Sequence, residues 1–254
     1  MPADEEFDRL AAAAEAFTMA GWDWSALSGR YVETPPPWDE RTEVQVALPP
    51  ARTLLDMGTG GGEFLSRLAP LPPATWATEG YPPNLPVAQA RLAPLGVRVV
   101  AVADETRLPL PDAHFDLVIN RHESFDPGEV RRILRPGGTF LTQQVGGQDN
   151  RELNAALQDV VTLSYGSWSA ATAAAQLRAA GLEVVEERES ARPGHFRDIG
   201  AVIMYLRITP WQIADFAVSA YRVRLLALHR RMQAEGGLAT RVHRFFIIAR
   251  RPVV

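Results

Sequence analysis

An aspartate stands just ahead of a run of glycines in LLDMGTGGGEFLSRL, residues 54–68. Asp56, Gly58, Gly60 and Gly62 make the pattern D-x-G-x-G-x-G, with Thr59 between the first two glycines. The apolar residues before it read as a buried strand and those after it as a helix. A glycine turn at such a junction lets backbone N–H groups approach a ligand closely, where side chains would stand in the way. The dinucleotide fingerprint G-x-G-x-x-G asks for a third glycine where Glu63 stands, so that pattern fails.

Four further strand-like runs end in polar residues. ATWATEGYPPN closes on Glu79, followed by Gly80 and Tyr81. A carboxylate there can accept both hydroxyls of a ribose. VRVVAVADETRLPLPD closes on Asp104 and Glu105, and HFDLVIN on Asn120, followed by Arg121, His122 and Glu123. LRPGGTFLTQQV ends in Gln143 and Gln144, of which alternation along a strand places at most one on a site.

Strands are expected at 52–57, 74–79, 97–103, 115–120, 138–145, 182–189 and 244–250. Helical patterns lie between the first five, which predicts an α/β fold with a doubly wound, mostly parallel sheet of seven strands. The organisation expected is an N-terminal helical and aromatic lid over 1–50, a core over 51–191, a helical insert over 192–241, and a last strand over 242–254. The lid contains a helix at 5–20 and the proline run 35–37, which forbids regular structure there.

The glycine pattern resembles the first motif of the class I S-adenosylmethionine-dependent methyltransferases. Glu79, the Asp104–Glu105 pair, HFDLVIN and LRPGGTFLTQQV follow in the order of that family. The resemblance covers residues 50 to 150 well and the final strands loosely. As a whole the chain looks like a bacterial branch of these enzymes, to which the resemblance attaches no substrate. It implies a Rossmann-like sheet with an antiparallel last strand, and S-adenosylmethionine as cofactor, released as S-adenosylhomocysteine. Asp56 would hold the α-ammonium, Glu79 the ribose, and Asp104 or Glu105 the adenine. Gly58, Thr59, Gly60, Gly62, Gly80, Tyr81, Asn120 and Arg121 complete the implied cofactor set.

Some methyl acceptors are disfavoured. The loop after HFDLVIN lacks the proline pair used for amino groups of bases, and there is no cysteine for covalent attack on a pyrimidine or for a zinc ribbon. His122 is the candidate proton acceptor, because an imidazole titrates near neutrality; a loop-bonding role is its alternative. Arg121 suits an acidic acceptor or the cofactor carboxylate, and equally a pair with Glu123. Gln143, Gln144, Tyr31, Trp38 and Trp211 are candidate acceptor contacts, with packing within the lid and insert as the alternative.

Composition sets the frame. The 254 residues are 46% hydrophobic and 22% charged, those of a chain that buries a substantial core. Residues 1–187 hold 14 arginines against 26 acidic residues, and residues 188–254 hold 12 against 4. A basic C-terminal part that packs on an acidic one explains this, and so does a polyanionic partner. The acidic N-terminus does not resemble a signal peptide and no apolar run is long enough for a membrane span, so a cytoplasmic protein is expected. The leading expectation is a metal-independent transfer of methyl to O or N of a small molecule, by a monomer or homodimer. The alternatives are an RNA methyltransferase that uses the arginine-rich C-terminal segment, an NAD-dependent oxidoreductase, and a non-catalytic S-adenosylmethionine-binding protein.

Overall fold

A computed structural model describes residues 3–19 and 22–253. In chain order the elements are α1 (Ala3–Ala16), β1 (Tyr31–Glu33), α2 (Glu40–Ala47), β2 (Thr53–Met57), α3 (Glu63–Ser66), β3 (Ala74–Glu79), α4 (Leu85–Leu92), β4 (Arg98–Ala101), β5 (Phe115–Arg121), α5 (Pro127–Ile133) and β6 (Leu134–Val145). They continue with α6 (Arg151–Leu157), α7 (Ala170–Ala179), β7 (Glu183–Phe196), α8 (Ile199–Ile208), α9 (Val218–Glu235) and β8 (Leu238–Arg250). The helix expected at 5–20 stops earlier, at Ala16, and residue 20 lies outside the described residues.

One sheet runs β1-β7-β8-β6-β5-β2-β3-β4. Strands β4, β3, β2, β5 and β6 are mutually parallel, and β8 inserts antiparallel between β6 and β7. The sheet therefore has eight strands where seven were expected. The eighth is β1, contributed by the lid and paired antiparallel with the far end of β7, Tyr31 opposite Phe196. Its three residues lie among glycines and prolines and carry no strand signal of their own. Both β7 and β8 are also longer than expected. They form an arm in which Glu183–Phe196 pairs with Leu238–Arg250, so the insert proper is confined to the helices between Phe196 and Leu238.

The strands alternate between two cores, as the period of 2 requires. Leu54, Leu117, Ile119, Leu141 and Phe246 face α2, α3 and α4. Leu55, Val118, Phe140, Phe245 and Ile247 face α5 and α7. Buried on both sides, the central strands read as continuous apolar runs. Helix starts are written locally: the Asp126 side chain accepts from Glu129 N–H at 2.8 Å, and Ser169 with Thr172 forms a capping box.

A third core lies at the end of the sheet. Phe7, Leu27, Phe196, Ile199, Val202, Ile203, Leu225, Leu228 and Met232 join α1, α8 and α9 around the tip of the β7–β8 arm. Lid and insert are thus a single cap. Its surface also joins them: Arg222 pairs with Asp8 at 2.6 Å and Arg230 with Asp4 at 2.8 Å. These pairs, with Arg224–Asp159 at 2.6 Å, engage three of the twelve arginines of residues 188–254.

Candidate donor crevice and the strand ends around it

At the carboxyl ends of β2 and β3 lies a cavity of about 330 Å³. Its lining comes from Met57, Gly58, Thr78, Glu79, Gly80, Tyr81, Val102, Ala103, Glu105, Leu108, Glu123 and Ser124. Three carboxyl groups are among these residues and no basic side chain is.

The glycine turn is held from below. Thr59 N–H donates to Thr78 O at 2.8 Å and Gly58 N–H to Thr78 Oγ1 at 3.1 Å. Gly58 has φ +75°, and a Cβ there would run into the Glu123 side chain. Gly62, at φ +81°, allows α3 to lie against α4: a Cβ would sit 2.8 Å from Leu92 Cγ.

Asp56 is buried behind the turn, where its Oδ2 accepts from Thr59 Oγ1 at 2.7 Å. Burial pushes its pKa up to about 6, against the opposing pull of the Thr59 hydroxyl. Glu79 is also raised by burial, while backbone N–H groups, among them Tyr81 N–H at 2.7 Å, hold the charged form back down. Tyr81 is largely exposed at the rim. Of the acidic pair after β4, Glu105 lines the cavity. Asp104 is exposed and folds back on its own turn, accepting from Thr106 N–H at 2.9 Å. Glu105 accepts from Ser124 Oγ and stands against Glu123. Burial and the neighbouring carboxyl of Glu105 raise Glu123 well above the usual glutamate range.

The polar residues after β5 and β6 fall into two groups. Gln144 donates to Asn120 Oδ1 at 2.6 Å and to Glu123 O at 2.9 Å, and Asn120 donates to Met57 O at 3.2 Å. This buried network braces the strand ends behind the crevice. On the opposite face of β6, Gln143 accepts from Trp38 Nε1–H at 2.8 Å and its Nε2 lies 3.3 Å from His122 Nε2. Burial, followed by the charges of Arg121 and Arg244, pulls His122 well below the ordinary imidazole pKa. Arg121 pairs with Glu40 of α2 at 2.8 Å, not with Glu123. Glu40 itself is raised to about 7 by burial, against the opposing charge of Arg121.

The other aromatic candidates lie apart from the cavity. Tyr31 stacks on Phe196 with ring centroids 4.0 Å apart and accepts from Asn150 Nδ2 at 2.8 Å, inside the cap. Trp211 stands exposed on the loop after α8. Trp22 is the lid residue that reaches the glycine turn, its Cβ 3.1 Å from where a Cβ of Gly60 would stand. Sequence reasoning singled out neither Glu40 nor Glu123 as a site residue. Glu40 carries no local signal, because α2 alone does not reveal which strand end it meets. Glu123 was legible, since it follows a strand that ends at the crevice.

Residues 55–142 match the family described as methyltransferase domain. Among curated proteins, the ubiquinone/menaquinone biosynthesis C-methyltransferase UbiE of Cupriavidus necator is 32% identical over 115 residues, 41% of this chain and 47% of that protein. The corresponding enzyme of Laribacter hongkongensis is 30% identical over the same shares. The chain thus spans about half the length of the curated relatives it matches. A candidate methyltransferase of Bacillus halodurans superposes with TM-score 0.61 at 19% identity, covering 84% of this chain and 99% of that one. The [4+2]-cyclase SpnF superposes with TM-score 0.51 at 18% identity over 99% and 93%. The first neighbour establishes the fold, and the second shows that this fold also carries other chemistry. Residues 55–142 are thus similar to a methyltransferase domain, and the sheet that contains them has the fold of these neighbours.

Proposed function

We propose that the chain transfers the methyl group of S-adenosylmethionine to a small-molecule acceptor at oxygen or nitrogen. The observation that carries this is the lining of the donor cavity: Glu79, Glu105 and Glu123 face it, Asp56 lies just behind, and no basic residue lines it. Such a lining suits a cationic nucleoside and opposes a diphosphate. The turn contributes as well as the charge, since Gly58, without a Cβ, lets the Glu123 side chain lie directly against it at the cavity wall.

Glu79 would take the ribose hydroxyls, Glu105 the adenine edge, and the Asp56 side of the turn the amino-acid portion, with Thr59, Gly60, Gly80 and Tyr81 around them. When bound, the cofactor supplies an electrophilic methyl on a positively charged sulfur. The protein's part is alignment and exclusion of water, for which it needs no strong base. Trp22 lies against the turn at Gly60 and serves that exclusion.

Carbon is the second acceptor reading, favoured by the printed name of the curated relatives, C-methyltransferase. Of the twelve C-terminal arginines, Arg222, Arg224, Arg230 and Arg244 are paired with acidic residues, which takes part of the support from the RNA reading. Incubation of the protein with labelled S-adenosylmethionine and a cell extract tests the assignment. Label is expected in the low-molecular-weight fraction. Label confined to RNA, or binding of the cofactor with no transfer at all, would overturn it.

A further inference from the structure

Trp38, Gln143 and His122, drawn from the segment before α2, from β6 and from the end of β5, form a line across the face opposite the Asn120–Gln144 network. The indole of Trp38 is 8% exposed and donates to Gln143 Oε1 at 2.8 Å. The other end of the amide, Nε2, lies 3.3 Å from His122 Nε2. Backbone geometry holds the ring in place: His122 N–H donates to Gln143 O at 2.8 Å, and His122 has φ +57°. A residue with a Cβ keeps that left-handed conformation only where its surroundings impose it.

The order of donors settles the rest. An indole nitrogen has only a proton to give, so the amide must turn its oxygen toward Trp38. The amide nitrogen then faces the imidazole, and it too can only donate. His122 Nε2 must therefore accept, and a neutral ring so engaged carries its proton on Nδ1. The opposite tautomer, like the imidazolium, would set N–H against N–H along this line. Nδ1 makes no hydrogen bond to the described residues and is not among their enclosed unpartnered atoms.

We propose that Gln143, itself oriented by Trp38, is a positioning residue that presents His122 to the acceptor as an Nδ1–H hydrogen-bond donor. His122 is then not the proton acceptor that its residue type suggests. The acceptor class that this fits is a small molecule with an oxygen bearing free lone pairs, a carbonyl, enolate or phenolate, at or beside the atom that receives the methyl. In the transfer, an acceptor lone pair forms the new bond to the methyl carbon while the carbon–sulfur pair returns to sulfur. The Nδ1 proton stays on His122. This role rests on the methyltransferase reading, but the tautomer does not.

The tautomer is read without any methyl donor, from long-range proton–nitrogen NMR spectra of histidine-labelled protein at pH 7.5. The chain has five histidines, and the His122 signals are those lost in His122→Asn. The expected pattern is a bare Nε2 and a protonated Nδ1. Gln143→Glu, whose carboxylate can only accept, should invert it. Trp38→Phe, which frees the amide to turn, should give both forms. A protonated Nε2 in the wild-type protein, or no inversion in folded Gln143→Glu, overturns the proposal. Folding of each variant is checked by S-adenosylmethionine affinity within threefold of wild type. If calorimetry finds no such affinity in the wild type, the methyltransferase reading fails instead and the tautomer result still stands. With S-adenosylhomocysteine bound, 4-nitrophenolate should shift the His122 Nδ1 proton. No shift up to ~10 mM, where a weak fragment still binds, removes the acceptor class.

Discussion

The donor crevice and the cap differ in how far along the chain their parts are drawn. The crevice floor is local: Asp56 bonds Thr59, the glycine turn bonds Thr78, and Glu79 bonds the backbone of Tyr81. The cap is assembled from opposite ends. Arg30 pairs with Asp198 at 2.5 Å, Arg207 donates to Ala14 O, and Phe7 meets His229 with ring centroids 6.0 Å apart. One region depends on backbone conformation at a few positions, and the other on apolar area brought together across the chain. They should therefore respond differently to substitution, the crevice in ligand affinity and the cap in stability.

The sharpest break would come at Phe196, fully buried between Tyr31 and Tyr205. Phe196→Ala should cost about 3–5 kcal/mol, measured by chemical denaturation. A loss below 1 kcal/mol would mean that the cap is not held by this core. Gly58→Ala, which puts a Cβ at φ +75°, should cost upward of about 1 kcal/mol in stability and lower S-adenosylmethionine affinity by roughly a hundredfold, about 2.7 kcal/mol. Its methyl would collide with Glu123 and crowd the turn. Calorimetry showing unchanged affinity would remove the turn from the binding site.

Asp56→Ala and Glu79→Ala should each weaken cofactor binding by about tenfold, on the order of 1.4 kcal/mol. Unchanged affinity in both would end the motif assignment. The smallest effect expected is a slope. Glu40, raised to about 7, is favoured in its protonated form by the fold. Its contribution is present below the ordinary glutamate range and lost as pH rises through 7. Asp56 acts in the same sense through about 6, whereas His122, held low, contributes stability that is lost as pH falls. Glu40→Gln isolates one share of this balance. Between pH 5 and 7 the stability of wild type relative to the variant should decline, by at most about 1.4 kcal/mol per unit. Parallel pH curves for the two proteins would refute the burial of that carboxyl.

Much of the crevice was legible in the sequence because its information is local. Glycines, the acids after the strands and the LRPGG turn each act within a few residues of where they stand. The strand β1 was not legible, since Tyr31–Glu33 becomes a strand only by meeting the end of β7. Trp38 was a candidate acceptor contact, with packing as its alternative, and Arg121 a partner for ligand or Glu123. Both assignments depended on which distant side chain arrives, and Gln143 and Glu40 arrived.

The sequence by itself determined the alternating α/β order, the glycine turn after β2, and the acids Glu79 and Glu105 at the ends of neighbouring strands. Periodicity, glycine conformation and charge sign are properties of neighbours in the chain. The tertiary structure decided the eighth strand, the union of lid and insert, and the line from Trp38 through Gln143 to His122. Each of these depends on a hydrogen bond or apolar contact between residues far apart in sequence, and such contacts exist only once the chain has folded.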